Sequence, residues 1–253
     1  MKFSPAFVPV ACLFLVSLGC QAPVKDAAPR VGKEKGFVEV FPHVWLDAPG
    51  RAVIVDGRVP VTVRGRHNPV VYLETVACTG GTKEHESLVV TEAAAAQVQG
   101  ALLLLGLMPG KPGAVVEDGR GGYQRLQPRG EELQIRFLLT RAGREVSEDP
   151  RDWIINKKTG EHPAGSWVFA GSGFDETARP ARYLADVEGT LIGLTTFGTE
   201  TIAYNEVVSP ESTIDQPTWI ADPDTVPEQG TPVRILITTP TTPTTPTREL
   251  TNR

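Results

Sequence analysis

Between residues 37 and 240, apolar and polar positions alternate in short runs, the pattern of half-buried strands. Such runs occur at 37–41, 43–47, 133–138 and 233–237, and the apolar run 52–56 reads as a further strand. The run 70–77 is apolar on both faces, which predicts a central strand. Asp56-Gly57 separates two apolar runs and predicts a tight hairpin into 59–63. Ala142-Gly143 predicts a second hairpin, and Glu188-Gly189 a third, between 183–186 and 190–195. Trp167-Val168-Phe169 runs straight into the glycine turn Gly171-Ser172-Gly173. One helix stands out. Thr91 offers a capping side chain, Glu92 follows in the first turn, and up to residue 105 only Gln97 and Gln99 are clearly polar. A helix apolar on nearly all sides is expected to be buried. Gly106 and Pro109-Gly110 end it. The pattern predicts an α+β domain, strand-rich with one long buried helix.

The two ends read differently. Met1-Lys2 precedes an apolar run at 7–18, too short for a membrane span but suited to a secretory signal peptide over 1–19. That run ends Ser17-Leu18-Gly19-Cys20, similar to a bacterial lipobox in which Cys20 is acylated and becomes the first mature residue. Leucine stands two places before the cysteine instead of the usual three, so ordinary secretion is the competing reading. Gln21, not Asp, follows Cys20, which favours an outer-membrane location in a two-membrane cell. Residues 20–36 hold prolines, alanines and alternating charges without apolar period, the composition of a flexible tether. The Thr/Pro-rich segment 241–253 is expected to be a disordered tail. The folded domain is therefore expected over 37–240. The net charge of −5 carries mixed signs without a basic stripe, so nucleic acid is not an expected partner. The expected contacts are the membrane, through lipid on Cys20, and an envelope protein or cell-wall component.

Most of the groups able to do chemistry lie between Cys78 and Ser87. Glu84, His85 and Glu86 are consecutive, and neither a strand nor a helix makes three consecutive side chains converge. As metal ligands, Glu84, His85 and Glu86 would need help from Cys78, Glu74 or His67. His85-Glu86 is not a zincin motif, because position 89 is Val. The competing reading is a polar network that orders a buried turn, with carboxylates accepting backbone N–H groups. Cys78 is either a thiol activated by Lys83 and His85 or a small buried hydrophobe. The segment 106–111 is one residue short of a P-loop, and Gly171-Ser172-Gly173 is not a nucleophile elbow.

Four stretches together resemble the YdjY-type domain, in the versions found in predicted lipoproteins of planctomycete-like bacteria. They are Tyr72-Leu73-Glu74 with Ala77-Cys78, the run Gly81-Thr82-Lys83-Glu84-His85-Glu86-Ser87, Ala101-Leu102-Leu103-Leu104 with Pro109-Gly110-Lys111-Pro112, and Trp167-Val168-Phe169-Ala170-Gly171-Ser172. The resemblance covers most of 37–240, and residues 83–87 are its most specific part. It implies an envelope protein of unassigned biochemistry and supplies no catalytic residues. Some relatives carry ferredoxin-like labels. With Cys12 removed and Cys20 acylated, Cys78 alone cannot supply the roughly four thiolates of an iron–sulfur cubane. No cofactor is expected, with a metal ion as the open alternative. The leading reading is a lipid-anchored, non-enzymatic binding or structural module. The alternative is a metal-dependent or thiol-based enzyme centred on Cys78, Glu84, His85 and Glu86.

Overall fold

The computed structural model describes residues 36–64 and 68–240. The expected signal peptide, Cys12, Cys20, the expected tether up to residue 35, His67 and the expected tail 241–253 lie outside the described residues. In chain order the strands are β1 (Val38–Phe41), β2 (Val44–Asp47), β3 (Ala52–Arg58), β4 (Thr75–Thr79), β5 (Ser87–Thr91), β6 (Ala114–Glu117), β7 (Tyr123–Leu126), β8 (Glu132–Arg141), β9 (Arg144–Glu148), β10 (Ile154–Asn156), β11 (Trp167–Phe169), β12 (Phe174–Asp175), β13 (Arg182–Tyr183), β14 (Thr190–Gly193), β15 (Ile202–Tyr204), β16 (Trp219–Ala221) and β17 (Pro232–Thr238). Two α-helices, α1 (Ala95–Leu104) and α2 (Leu184–Glu188), accompany them.

Eight strands close into a barrel in the order β3, β17, β8, β11, β15, β14, β4, β5 and back to β3. A barrel of this size has an interior that side chains can fill. β17 shows how the alternation works. Val233, Ile235 and Ile237 are buried, while the residues between them are only partly covered. β17 pairs along its whole length with β3 on one side and with β8 on the other, so the last strand is central. The β1–β2 hairpin extends from the flank of β3, and β9 extends from β8.

Closure depends on the backbones of β3 and β5 coming together, with Gly57 opposite Thr91 and Arg58 opposite Val90. A Cβ on Gly57 would lie 2.6 Å from Val89 Cγ1 and 2.8 Å from the Val90 carbonyl oxygen. The glycine is therefore needed for close approach and not for a turn. This corrects the predicted hairpin at Asp56-Gly57. Both residues stay in β3, opposite Arg234 and Val233, and the Thr91 hydroxyl donates to the Asp56 carbonyl at 2.7 Å. The 59–63 segment continues without strand structure. The Ala142-Gly143 hairpin does form, between β8 and β9, with positive φ at both residues (49° and 76°) as a two-residue turn requires.

The architecture is mostly β, which corrects the α+β expectation and its long buried helix. Thr91 does not cap a helix. It ends β5, and its hydroxyl accepts from the Ala93 N–H at 3.0 Å. Only Ala95–Leu104 is helical. This helix lies along β2 and β3 and covers one stripe, with Ala95, Val98, Ala101 and Leu102 buried. Leu103 and Leu104 face outward, 45% and 60% exposed. A run of leucines is compatible with enclosure, but a helix laid on a closed barrel has only one side covered.

Trp153, from the 3₁₀ turn Pro150–Trp153, is fully buried and meets Phe137 of β8 edge-on with ring centroids 4.9 Å apart. Its indole N–H donates to Glu148 Oε2 at 2.7 Å. Among the described residues, no helix is long and apolar enough to cross a membrane.

Candidate functional site

β4 and β5 are parallel neighbours, with Thr75 opposite Ser87 and Thr79 opposite Thr91. A parallel pair needs a connection that returns the full length of the strand, commonly about a dozen residues or more. Here residues 80–86 make the return. At one end the Gly80 N–H donates to the Thr91 carbonyl at 3.0 Å, and at the other the Glu74 N–H donates to the Glu86 carbonyl at 3.1 Å. The polar stretch that the sequence marks as suspect is this connector.

A connection so short leaves backbone groups without strand partners, and its side chains fill the gaps. The Glu84 carboxylate accepts from the Gly81 N–H at 2.6 Å. The Thr82 hydroxyl donates to the Thr79 carbonyl, and the Ser87 hydroxyl donates to the Lys83 carbonyl, each at 2.6 Å. The buried Thr75 hydroxyl completes the chain by bonding Ser87 Oγ. Glu84–Glu86 forms one 3₁₀ turn, closed by the Glu86 N–H on the Lys83 carbonyl at 3.1 Å. On the neighbouring side, a Cβ on Gly189 (φ 78°) would come within 2.1 Å of Thr82 Oγ1, so the glycine lets the connector lie down on the start of β14.

The four candidate residues are assigned to different tasks. Cys78 sits in the barrel wall between Thr190 of β14 and Val90 of β5, with no exposed surface. Burial pushes its thiol pKa up, whereas a nucleophilic thiol needs access and a lowered value. Cys78 is also the one cysteine among the described residues, so their donor set does not fit an iron–sulfur cluster. Glu84 is spent on the Gly81 N–H, which holds its carboxyl below the usual range. His85 points outward with 79% of its side chain exposed, and its Nε2 lies 3.6 Å from Glu86 Oε2. Glu86 is the inward-facing member, its side chain 19% exposed, with Lys83 Nζ 3.4 Å from Oε1. Among the described residues, no group of three or more His, Cys, Asp or Glu side chains is placed to hold a metal ion.

The structure adds Phe197 to the cluster and brings in Glu74, which the sequence offers only as a helper to a metal site. Glu74, just before β4, donates its backbone N–H to the Glu86 carbonyl at 3.1 Å, and the pKa of its carboxyl is raised to about 7. Burial is the main cause and the Glu86 charge the next, opposed by Lys83 and His85. The ring of Phe197 lies beneath Lys83, 4.1 Å from Nζ to the centroid, as a cation–π contact. Glu74 was visible in the sequence as a single acid beside the apolar run 75–78. Phe197 gave no signal, because it reaches the site from a loop more than 100 residues away.

The family model for the YdjY domain matches residues 44–238, which takes in the barrel from β2 to β17. No curated protein and no solved structure matches the chain. The match spans well over half of the chain and includes both strands that the connector joins, so the protein belongs to the YdjY domain family.

Proposed function

We propose that this chain is a lipid-anchored module of the cell envelope that binds an envelope protein or cell-wall component, or braces one, without catalysing a reaction. The non-catalytic reading is carried by the division of labour within the connector. Cys78 is sealed in the wall, Glu84 holds a backbone N–H, Glu86 is neutralised by Lys83, and His85 faces outward. A catalytic constellation needs its groups aimed at one reacting atom, and these four are aimed at the protein itself or at solvent.

The anchor reading is supported by Ser17-Leu18-Gly19-Cys20 and the signal-peptide pattern before it. Two or more acyl chains on Cys20 give stable membrane attachment, each buried CH₂ contributing about 0.8 kcal/mol. The outer membrane is the proposed location, from Gln21 after the acylated cysteine. The test is fractionation of cells expressing the full chain and its Cys20→Ala variant. The wild-type chain is expected in the membrane fraction with an acylated N-terminus by mass spectrometry, and the variant in the soluble fraction. Identical fractionation of the two chains would contradict the anchor.

A further inference from the structure

The barrel register gathers several segments at one end. Ala52 of β3, Thr238 of β17 and Gln134 of β8 lie in one row across the sheet. Asp47 of β2 is opposite Ala52, and a Cβ on Gly36 would lie 3.5 Å from Asp47 Oδ2, so the chain enters the domain at this end. The turn before β3 reaches α1, where the Arg51 guanidinium donates to the Leu105 carbonyl at 3.2 Å. The segment before β8 reaches the loop after α1. Glu131 Oε1 accepts from the Met108 N–H at 2.6 Å, and the backbones of Lys111 and Arg129 bond each other at 2.9 and 2.8 Å. The last turn of α1 and residues 106–111 therefore share the entry end. The tip of the β8–β9 hairpin, at Ala142-Gly143, lies at the other end of β8.

Three apolar side chains stand in solvent at the entry end. Leu103, Leu104 and Met108 are 45%, 60% and 69% exposed, although Leu105 and Leu107 beside them are buried. The cations Arg51, Lys111 and Arg129 are exposed on the same segments. Two carboxylates at this end are held on backbone groups, Asp47 on the Gly50 N–H at 3.1 Å and Glu131 on the Met108 N–H. Apolar side chains flanked by cations suit a membrane surface, where the apolar groups enter the boundary between headgroups and acyl chains and the cations meet lipid phosphates. The chain from Cys20 to Gly36 can span at most about 55 Å, which keeps the entry end within reach of a bilayer that holds Cys20.

We propose that the entry end of the barrel is a membrane-docking face. Leu103, Leu104 and Met108 insert at the headgroup boundary of an anionic phospholipid bilayer, and Arg51, Lys111 and Arg129 meet its phosphates. Docking rests on the anchor proposed above, which fixes one point of the chain; docking fixes which end of the barrel meets the lipid. The β8–β9 hairpin then points away from the bilayer, toward an envelope partner.

The test uses the full chain purified from membranes and placed in vesicles of phosphatidylethanolamine and phosphatidylglycerol that carry a photoactivatable diazirine phospholipid. Crosslinks are mapped by peptide mass spectrometry. Lipid adducts are expected within residues 103–111 and not within 141–146. The double variant Leu104→Glu, Met108→Glu is expected to stay with the vesicles through its anchor but to lose the adducts at 103–111. Both positions are exposed, so its urea midpoint is expected to match wild type. Adducts spread equally over both ends, or unchanged in the variant, would overturn the docking face. So would a face free of lipid adducts in a chain that sediments as a dimer, which would assign it to a second copy. Mass spectrometry of the Cys20 peptide reports on the anchor separately. An unmodified Cys20 overturns the anchor alone, and the crosslink map of the chain added to the same vesicles in excess then decides docking by the same two outcomes.

Discussion

Gly57→Val is expected to destabilise the domain by about 3 kcal/mol, at the upper end of what overpacking costs. Even the first added carbon would sit 2.6 Å from Val89 Cγ1 and 2.8 Å from the Val90 carbonyl oxygen. The carbonyl cannot retreat without giving up the pairing of Gly57 with Thr91 and Arg58 with Val90, and that pairing closes the ring. Opening the seam would leave β5 as a free edge, while β3 stays covered by β2 and β17, and free strand edges invite association between chains. The measurement is urea unfolding followed by fluorescence, with sedimentation to detect self-association. A midpoint equal to wild type would mean that the barrel is not closed at this seam.

Trp153→Ala is expected to cost about 3–5 kcal/mol, the range for removing a large aromatic side chain from a core. Trp153 has no exposed surface, and its loss strips the edge contact from Phe137. Glu148 would lose the indole donor but keep Arg141, whose guanidinium reaches its two oxygens at 2.5 and 2.9 Å. The loss should therefore appear as a cavity effect, not as a stranded charge. Trp153→Phe restores most of the volume and is expected to recover much of the stability. The readout is the same urea midpoint for both variants, and equal losses in the two would point to the Glu148 hydrogen bond as the main term.

Periodicity located most of the strands, because alternation reports which face of a strand is covered. It could not report which strand lies beside which. The placement of β17 between β3 and β8 depends on contacts between residues far apart in the chain. The Asp56-Gly57 pair shows the limit most clearly. The dipeptide has the chemistry of a hairpin turn, and the same absence of a side chain also suits two backbones in close approach. Tertiary pairing with Thr91 and Val233 selects the second use. The helix is shorter and less enclosed than its composition predicts for a related reason. Leu103 and Leu104 are apolar, but hydropathy does not tell how much of a helix its surroundings cover. For the connector, the stretch and its polar groups were legible from composition alone. It could not show that β4 and β5 run parallel, and that relation explains why so many polar groups are gathered in so short a segment. Nor could it bring Phe197 to Lys83.

Cys78 alkylation tests most directly whether the connector and its strands serve architecture or chemistry. The full chain is exposed to iodoacetamide at pH 8, with and without urea, and labelling at Cys78 is followed by peptide mass spectrometry. With the thiol fully buried and its pKa raised by that burial, labelling is expected only as the domain unfolds, with a native rate that follows global opening. Labelling of the native protein at the rate of a free thiol would contradict the architectural reading and return Cys78 to consideration as a reactive group.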